Sequence, residues 1–112
     1  MHKLVVFVPE EHAEAVKRAL FSAGAGRFRN YDSCSWETLG TGQFRPLPGS
    51  SPVLGREGVV ERVSELRVEM ICRDESVRAA LDALVAAHPY EEPAYEVYPI
   101  LTAADFAGSA GS

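Results

Sequence analysis

Twice along this chain a strand-like apolar run leads into a stripe of helical period. That doubled pattern restricts the fold more than any other feature. The first run is Lys3 to Val8, where Val5, Val6, Phe7 and Val8 follow one another without a break. Such a run marks a central strand covered on at least one face. Pro9 then opens a helix, where its missing N–H costs nothing. Glu10 and Glu11 fall in the first turn, favourably placed against the helix dipole. Ala13, Val16, Leu20 and Ala23 recur at spacings of three and four, and Gly24-Ala25-Gly26 stops the helix. The second run is Val59 to Arg73, where Val68, Met70 and Cys72 alternate with Arg67, Glu69 and Ile71. Asp74 stands where an N-cap belongs. Val77, Leu81, Leu84 and His88 form the next stripe with Ala80 beside it, and Pro89 ends that helix.

Two further strands complete the set. Ser33 to Leu39 alternates, with Cys34, Trp36 and Thr38 on one face and Ser33, Ser35, Glu37 and Leu39 on the other; Tyr95 to Ile100 is the last strand. From Gly40 to Gly58, glycine and proline punctuate an excursion that is long for so small a domain. Ordered loops of that length usually serve function or an interface. Phe44, Leu47, Val53 and Leu54 predict that this one is packed. The order strand, helix, strand, strand, helix, strand makes two βαβ-like halves. Right-handed crossovers put both helices on one face of a four-stranded antiparallel sheet. The expected class is α+β, a ferredoxin-like sandwich with an extended central hairpin. Residues 1–101 form the single domain and 102–112 a flexible tail ending Gly108-Ser109-Ala110-Gly111-Ser112. One helix layer leaves the other sheet face uncovered, and an apolar open face with long edges invites self-association.

Bulk properties exclude several classes. A net charge of −5 with no basic run argues against a nucleic-acid partner. No apolar segment approaches the roughly 20 residues that span a bilayer. The first residues lack a signal-peptide pattern, so a cytoplasmic location is expected. Cys34 and Cys72 are too few for a disulfide framework and lack zinc-finger spacing. Each reads first as a small buried apolar residue.

Chemistry concentrates in His88-Pro89-Tyr90-Glu91-Glu92-Pro93-Ala94-Tyr95. Its prolines stiffen a turn that holds an imidazole, two carboxylates and two phenols. His88 is either a half-buried packing residue bonded to backbone or a ligand for a metal or anion. A second cluster is Cys34, Trp36 and Glu37. If its thiol and carboxylate met the imidazole, they would suit a soft metal, whereas Trp36 also suits an interface anchor. Gly40-Thr41-Gly42, followed by Gln43, Phe44 and Arg45, could bind a small anion. No Gly-Lys-Ser/Thr follows, so a P-loop is excluded.

Four segments resemble the YqfO-type domain, found as an insert in longer dinuclear-metal proteins and as a short stand-alone protein. They are Asn30-Tyr31-Asp32-Ser33-Cys34-Ser35-Trp36, Gly40-Thr41-Gly42-Gln43-Phe44-Arg45-Pro46, Gly49-Ser50-Ser51-Pro52 and the His88-to-Tyr95 turn. That turn also resembles its counterpart in the trimeric, PII-like CutA proteins. The resemblance implies a PII/CutA-like fold and a homotrimer, and it favours Glu91 over Glu92. It does not extend to the flanking domain that holds the two metals of the long members, some of which carry a GTP cyclohydrolase description. One departure is local. The family pattern Gly-Arg-Ile-Gly-Asn-Tyr becomes Gly26-Arg27-Phe28-Arg29-Asn30-Tyr31. A positive φ at position 29 would then cost Arg29 roughly 1 kcal/mol.

The expected site is a pocket where the His88 turn meets the Cys34 strand and the Gly40 loop, completed by a neighbouring subunit. Its candidate ligand-binding residues are Cys34, Trp36, Glu37, Gly40, Gly42, Arg45, His88, Tyr90 and Glu91. His88, Cys34 and Glu91 are the candidate ligands for a divalent metal ion as cofactor. Expected partners are further copies of the chain, a small molecule or metal, and a regulated protein. The expected function is a non-catalytic trimeric binding or regulatory module; the alternative is a metal-dependent, GTP cyclohydrolase-like hydrolase.

Overall fold

The computed structural model describes residues 1–107. Strand β1 (His2–Pro9) leads through a 3-10 turn (Glu10–His12) into helix α1 (Ala13–Ser22). Strands β2 (Trp36–Phe44) and β3 (Glu61–Cys72) form the central hairpin. A second 3-10 turn (Asp74–Ser76) precedes α2 (Val77–Ala87), followed by β4 (Tyr95–Pro99) and a short helix α3 (Ala103–Phe106). The sheet order is β2-β3-β1-β4, with every neighbouring pair antiparallel. This is the expected ferredoxin-like α+β arrangement, with α1 and α2 packed on one face of the sheet.

The alternation in β1 decides which face is covered. Leu4, Val6 and Val8 face the helices and join Val16, Leu20, Ala80 and Leu84 in one core with Val68, Met70 and Cys72. Full burial of a leucine such as Leu20 contributes about 1.5–3 kcal/mol. On the opposite face Val5 is also fully buried, and its cross-strand neighbours Glu69 and Glu96 are long enough to cover it. That face is therefore not the bare apolar surface expected. By register it carries Lys3, Glu65, Arg67, Glu69 and Glu96, with Trp36 and Tyr98 as its large exposed apolar groups.

The helix layer covers only part of β3, where burial begins at Val68. Residues 61–64, past the end of the pairing with β1, and the facing end of β2, residues 41–44, project beyond it. The molecule is drawn out to 59 × 24 × 23 Å. Its radius of gyration is 16.4 Å, against about 13 Å for a compact chain of this length.

Several boundaries differ from the sequence expectation. β2 starts at Trp36, so Cys34 precedes it, and it continues to Phe44, so Gly40-Thr41-Gly42 lies in a strand and is not a loop. Pairing with β3 overrides the weak strand tendency of glycine there. The irregular excursion shortens to 45–60. It is only partly packed: Pro46 is buried, but Leu47, Val53 and Leu54 are exposed. Asp74 does not cap α2; its carboxylate accepts the Met1 ammonium at 2.6 Å. The expected flexible tail begins with the α3 turn, where the Thr102 N–H donates to the Asp105 carboxylate at 2.7 Å. Residues 108–112 of that tail lie outside the described residues. Among the described residues, no helix is long and apolar enough to cross a membrane.

Candidate ligand-binding cleft

The cleft lies on the open-face side of the sheet, at the projecting end of the hairpin. It forms because two irregular segments are tied to the same strand ends. On one side the turn after α2 is gripped by β1. The Phe7 N–H donates to the Ala94 carbonyl at 3.0 Å, and His88 Nε2 lies 2.8 Å from the Phe7 carbonyl. The Tyr90 N–H donates to His88 Nδ1 at 3.2 Å. Nδ1 therefore carries a lone pair, Nε2 carries the proton, and the imidazole is neutral. Burial pushes the His88 pKa below its ordinary value, in agreement with that assignment.

On the other side the excursion folds back over the turn. Pro46 is buried, and its carbonyl accepts the Gly58 N–H at 2.7 Å. The Ser51 N–H donates to the Glu91 carboxylate at 2.8 Å, which joins the excursion to the turn. The space left between them is a cavity of about 380 Å³, walled by Phe7, Phe44, Leu54 and Tyr90, with Glu65 on the strand side and exposed Arg45 also lining it. The Phe44 and Tyr90 rings lie tilted at 5.9 Å between centroids.

Among the described residues, two half-buried polar side chains in this cleft make no hydrogen bond. The Tyr90 hydroxyl is buried without a hydrogen bond, and burial, with Glu65, Glu11 and Glu61 nearby, pushes its pKa up. The Glu65 carboxyl is raised by burial, with no partner offsetting that cost. Glu65 also explains a glycine. A Cβ on Gly42 would occupy the position of the Glu65 carboxylate.

The expected site residues divide into two groups. Arg45, Tyr90 and Glu91 line the cleft; Gly40 and Gly42 line an adjoining hollow against Glu65 and Arg67. His88 is buried behind the wall, its ring 5.2 Å from that of Tyr90. Cys34, Trp36 and Glu37 are not brought to it. Cys34 is held near the opposite end of the sheet, where its N–H donates to Gly26 and Gly26 donates to Ile71. Its thiol is 3.7 Å from the Asp32 carbonyl. Trp36 is exposed on the open face, opposite Glu69 in the register. Glu37 turns to the helix side and pairs with Lys17 at 2.8 Å, which raises the Lys17 pKa.

The metal set His88, Cys34 and Glu91 is therefore not assembled within one chain, and both His88 ring nitrogens are already bonded. Among the described residues, no three His, Cys, Asp or Glu side chains form a metal-holding group. Sequence reasoning missed Phe7, Glu65 and the wall residue Leu54 as site residues. The one available signal was Glu65 in the alternation of β3, on the same face as Arg67.

No protein-family model matches the chain. It is 48% identical over 101 residues to a Mycobacterium leprae protein called GTP cyclohydrolase 1 type 2 homolog, and 41% identical over 100 residues to the Bacillus subtilis protein of that name. Those alignments cover 90% and 89% of this chain but only 26% and 27% of the relatives, so the chain spans about a quarter of their length. A crystal structure of a Bacillus cereus protein related to NIF3 superposes with a TM-score of 0.78 at 46% identity, over 90% of this chain and 26% of that one. The periplasmic divalent cation tolerance protein CutA from Archaeoglobus fulgidus shares the fold, with a TM-score of 0.65 at 22% identity, over 91% of this chain and 86% of that one.

Proposed function

We propose, from the premise that this chain is homologous to one segment of the YqfO/NIF3-related GTP cyclohydrolase 1 type 2 homologs, that it is a self-associating, non-catalytic module that binds a small ligand. The observation that carries this reading is the cleft itself. Its size falls in the usual range for small-molecule sites, roughly 300–1,000 Å³, and its walls are mainly apolar with a few convergent polar groups. Among the described residues that line it, none is placed as an activated nucleophile. Its histidine is spent on holding the Tyr90 turn, with one nitrogen on Phe7 and the other on Tyr90.

Self-association rests on three exposed features: Trp36, Tyr98 and the unpaired outer edge of β2. A projecting two-stranded hairpin is only marginally stable in water by itself. Contact between hairpins would bury its exposed length, and the fold shared with CutA makes a homotrimer the assembly we assign. Regulation of a partner protein would act through ligand occupancy of the cleft.

The alternative, a metal-dependent hydrolase, draws its support from the name of relatives four times as long. In it a divalent ion would be shared between subunits by His88, Cys34 and Glu91, and His88 would have to release Phe7 or Tyr90.

Light scattering at micromolar concentration tests the assembly, and a monomer mass would overturn it. Metal analysis of the purified chain, with turnover assayed against GTP, tests the alternative. The binding module predicts no turnover with or without added divalent ion.

A further inference from the structure

The cleft also carries information about charge. Its apolar walls bring Phe44 and Tyr90 together, and aromatic faces attract cations. Among its lining residues Glu65, Glu91 and Glu92 outnumber the single cation Arg45, which is exposed. Glu91 is occupied by the Ser51 N–H and serves the wall. Glu65 is different. It is half-buried on the strand side and has no partner among the described residues. A carboxylate in such surroundings lacks a positive charge, and burial without one leaves the group holding its proton too strongly. Tyr90 adds a second unmet group, a hydroxyl enclosed without any hydrogen bond.

Resting on the reading of this cleft as a ligand site, we propose that its ligand is a small organic cation. The ligand has an aromatic or otherwise apolar body lying against Phe44 and Tyr90 and a protonated nitrogen directed at Glu65. The charge complementarity is local. An anionic ligand of the same shape would meet an unneutralised carboxylate, with exposed Arg45 the one cation among the lining residues to attract it. Gly42 supports this arrangement, since the missing side chain is what lets the Glu65 carboxylate lie across β2 beside the cleft.

Three indole probes of nearly equal size test the proposal on the intact chain: tryptamine as the cation, 3-ethylindole as the neutral body and indole-3-propionate as the anion. Binding is followed by amide chemical-shift changes of Ser51, Leu54 and Tyr90, with affinities from titration. Tryptamine is expected to bind at least tenfold more tightly than 3-ethylindole, and indole-3-propionate more weakly than either. Glu65→Gln is expected to abolish the preference for tryptamine over 3-ethylindole. If all three probes shift these amides with equal affinity, the charge assignment fails and the ligand site stands. If none shifts them, both the assignment and the ligand site fail. The comparison of probes on the unmutated chain stands whatever Glu65→Gln does to folding.

Discussion

His88 holds Phe7 from 81 positions further along the chain, its Nε2–H donating to the Phe7 carbonyl at 2.8 Å. The same ring accepts the Tyr90 N–H, so one neutral imidazole fixes both the end of β1 and the wall of the cleft. Replacing it leaves a partly buried carbonyl and a partly buried N–H unpaired. His88→Ala is expected to cost about 2 kcal/mol of stability, read from denaturant unfolding. An unchanged midpoint would show that the clamp is idle.

The same clamp sets a pH dependence. Burial lowers the His88 pKa in the folded protein, so below the ordinary imidazole value of about 6.5 the unfolded chain binds more protons. Its contribution is complete above that pH and declines as pH falls towards the lower folded value. Protonated Nδ1 would also face the Tyr90 N–H, donor against donor. Thermal midpoints measured from pH 8 to pH 5 should fall, and His88→Gln should flatten the fall.

Arg29 has φ 53°, the first position of a two-residue turn closed by mutual Phe28 and Tyr31 hydrogen bonds. An L-residue in that region is strained by about 1 kcal/mol. Arg29 recovers part of this through its guanidinium, 5.2 Å from the Phe28 ring centroid. Arg29→Gly is expected to raise stability by less than about 1 kcal/mol. A lowered melting temperature would mean that the stacking outweighs the strain.

Three glycine-to-alanine changes should separate by position. Gly40 has open space where a Cβ would stand, so Gly40→Ala should leave stability within about 0.5 kcal/mol. Gly42→Ala displaces only the end of Glu65, so it should spare the fold and disturb the cleft. Gly26 has φ 74°, and an added Cβ would lie 2.8 Å from the Phe21 ring and 2.9 Å from the Cys34 carbonyl. Gly26→Ala should therefore cost more than about 2 kcal/mol. Equal melting temperatures for all three would refute this ordering.

Glu91→Ala removes the carboxylate that accepts the Ser51 N–H. The bond is exposed, so the global melting temperature should hardly move. Amide exchange of Ser51 should rise several-fold, because opening of the excursion is local. An unchanged rate at Ser51 would show that Pro46, rather than Glu91, fixes the excursion.

The layering of this protein was legible along the chain because it rests on short-range periodicity. Leu4, Val6 and Val8 alternate, Val16 and Leu20 recur at helical spacing, and the order of the segments leaves one right-handed solution. Even the strain at Arg29 could be anticipated from a departure in a local pattern. The lining of the candidate cleft was legible only where it was local. Arg45, Tyr90 and Glu91 lie on the segments expected to converge, and they do line the cleft.

The rest was decided by pairings between distant segments. The register of β2 on β3 turned Glu37 towards Lys17, left Trp36 on the open face and set Gly42 diagonal to Glu65. Cys34 and His88 carry compatible chemistry, yet the connection through Gly26 and Ile71 holds the thiol near one end of the sheet while Phe7 holds the imidazole near the other. Composition and period report which residues are buried and in which element they stand. They do not report which side chains meet, because a shift of one residue in strand register reverses every facing and leaves the periodic pattern along the chain unchanged.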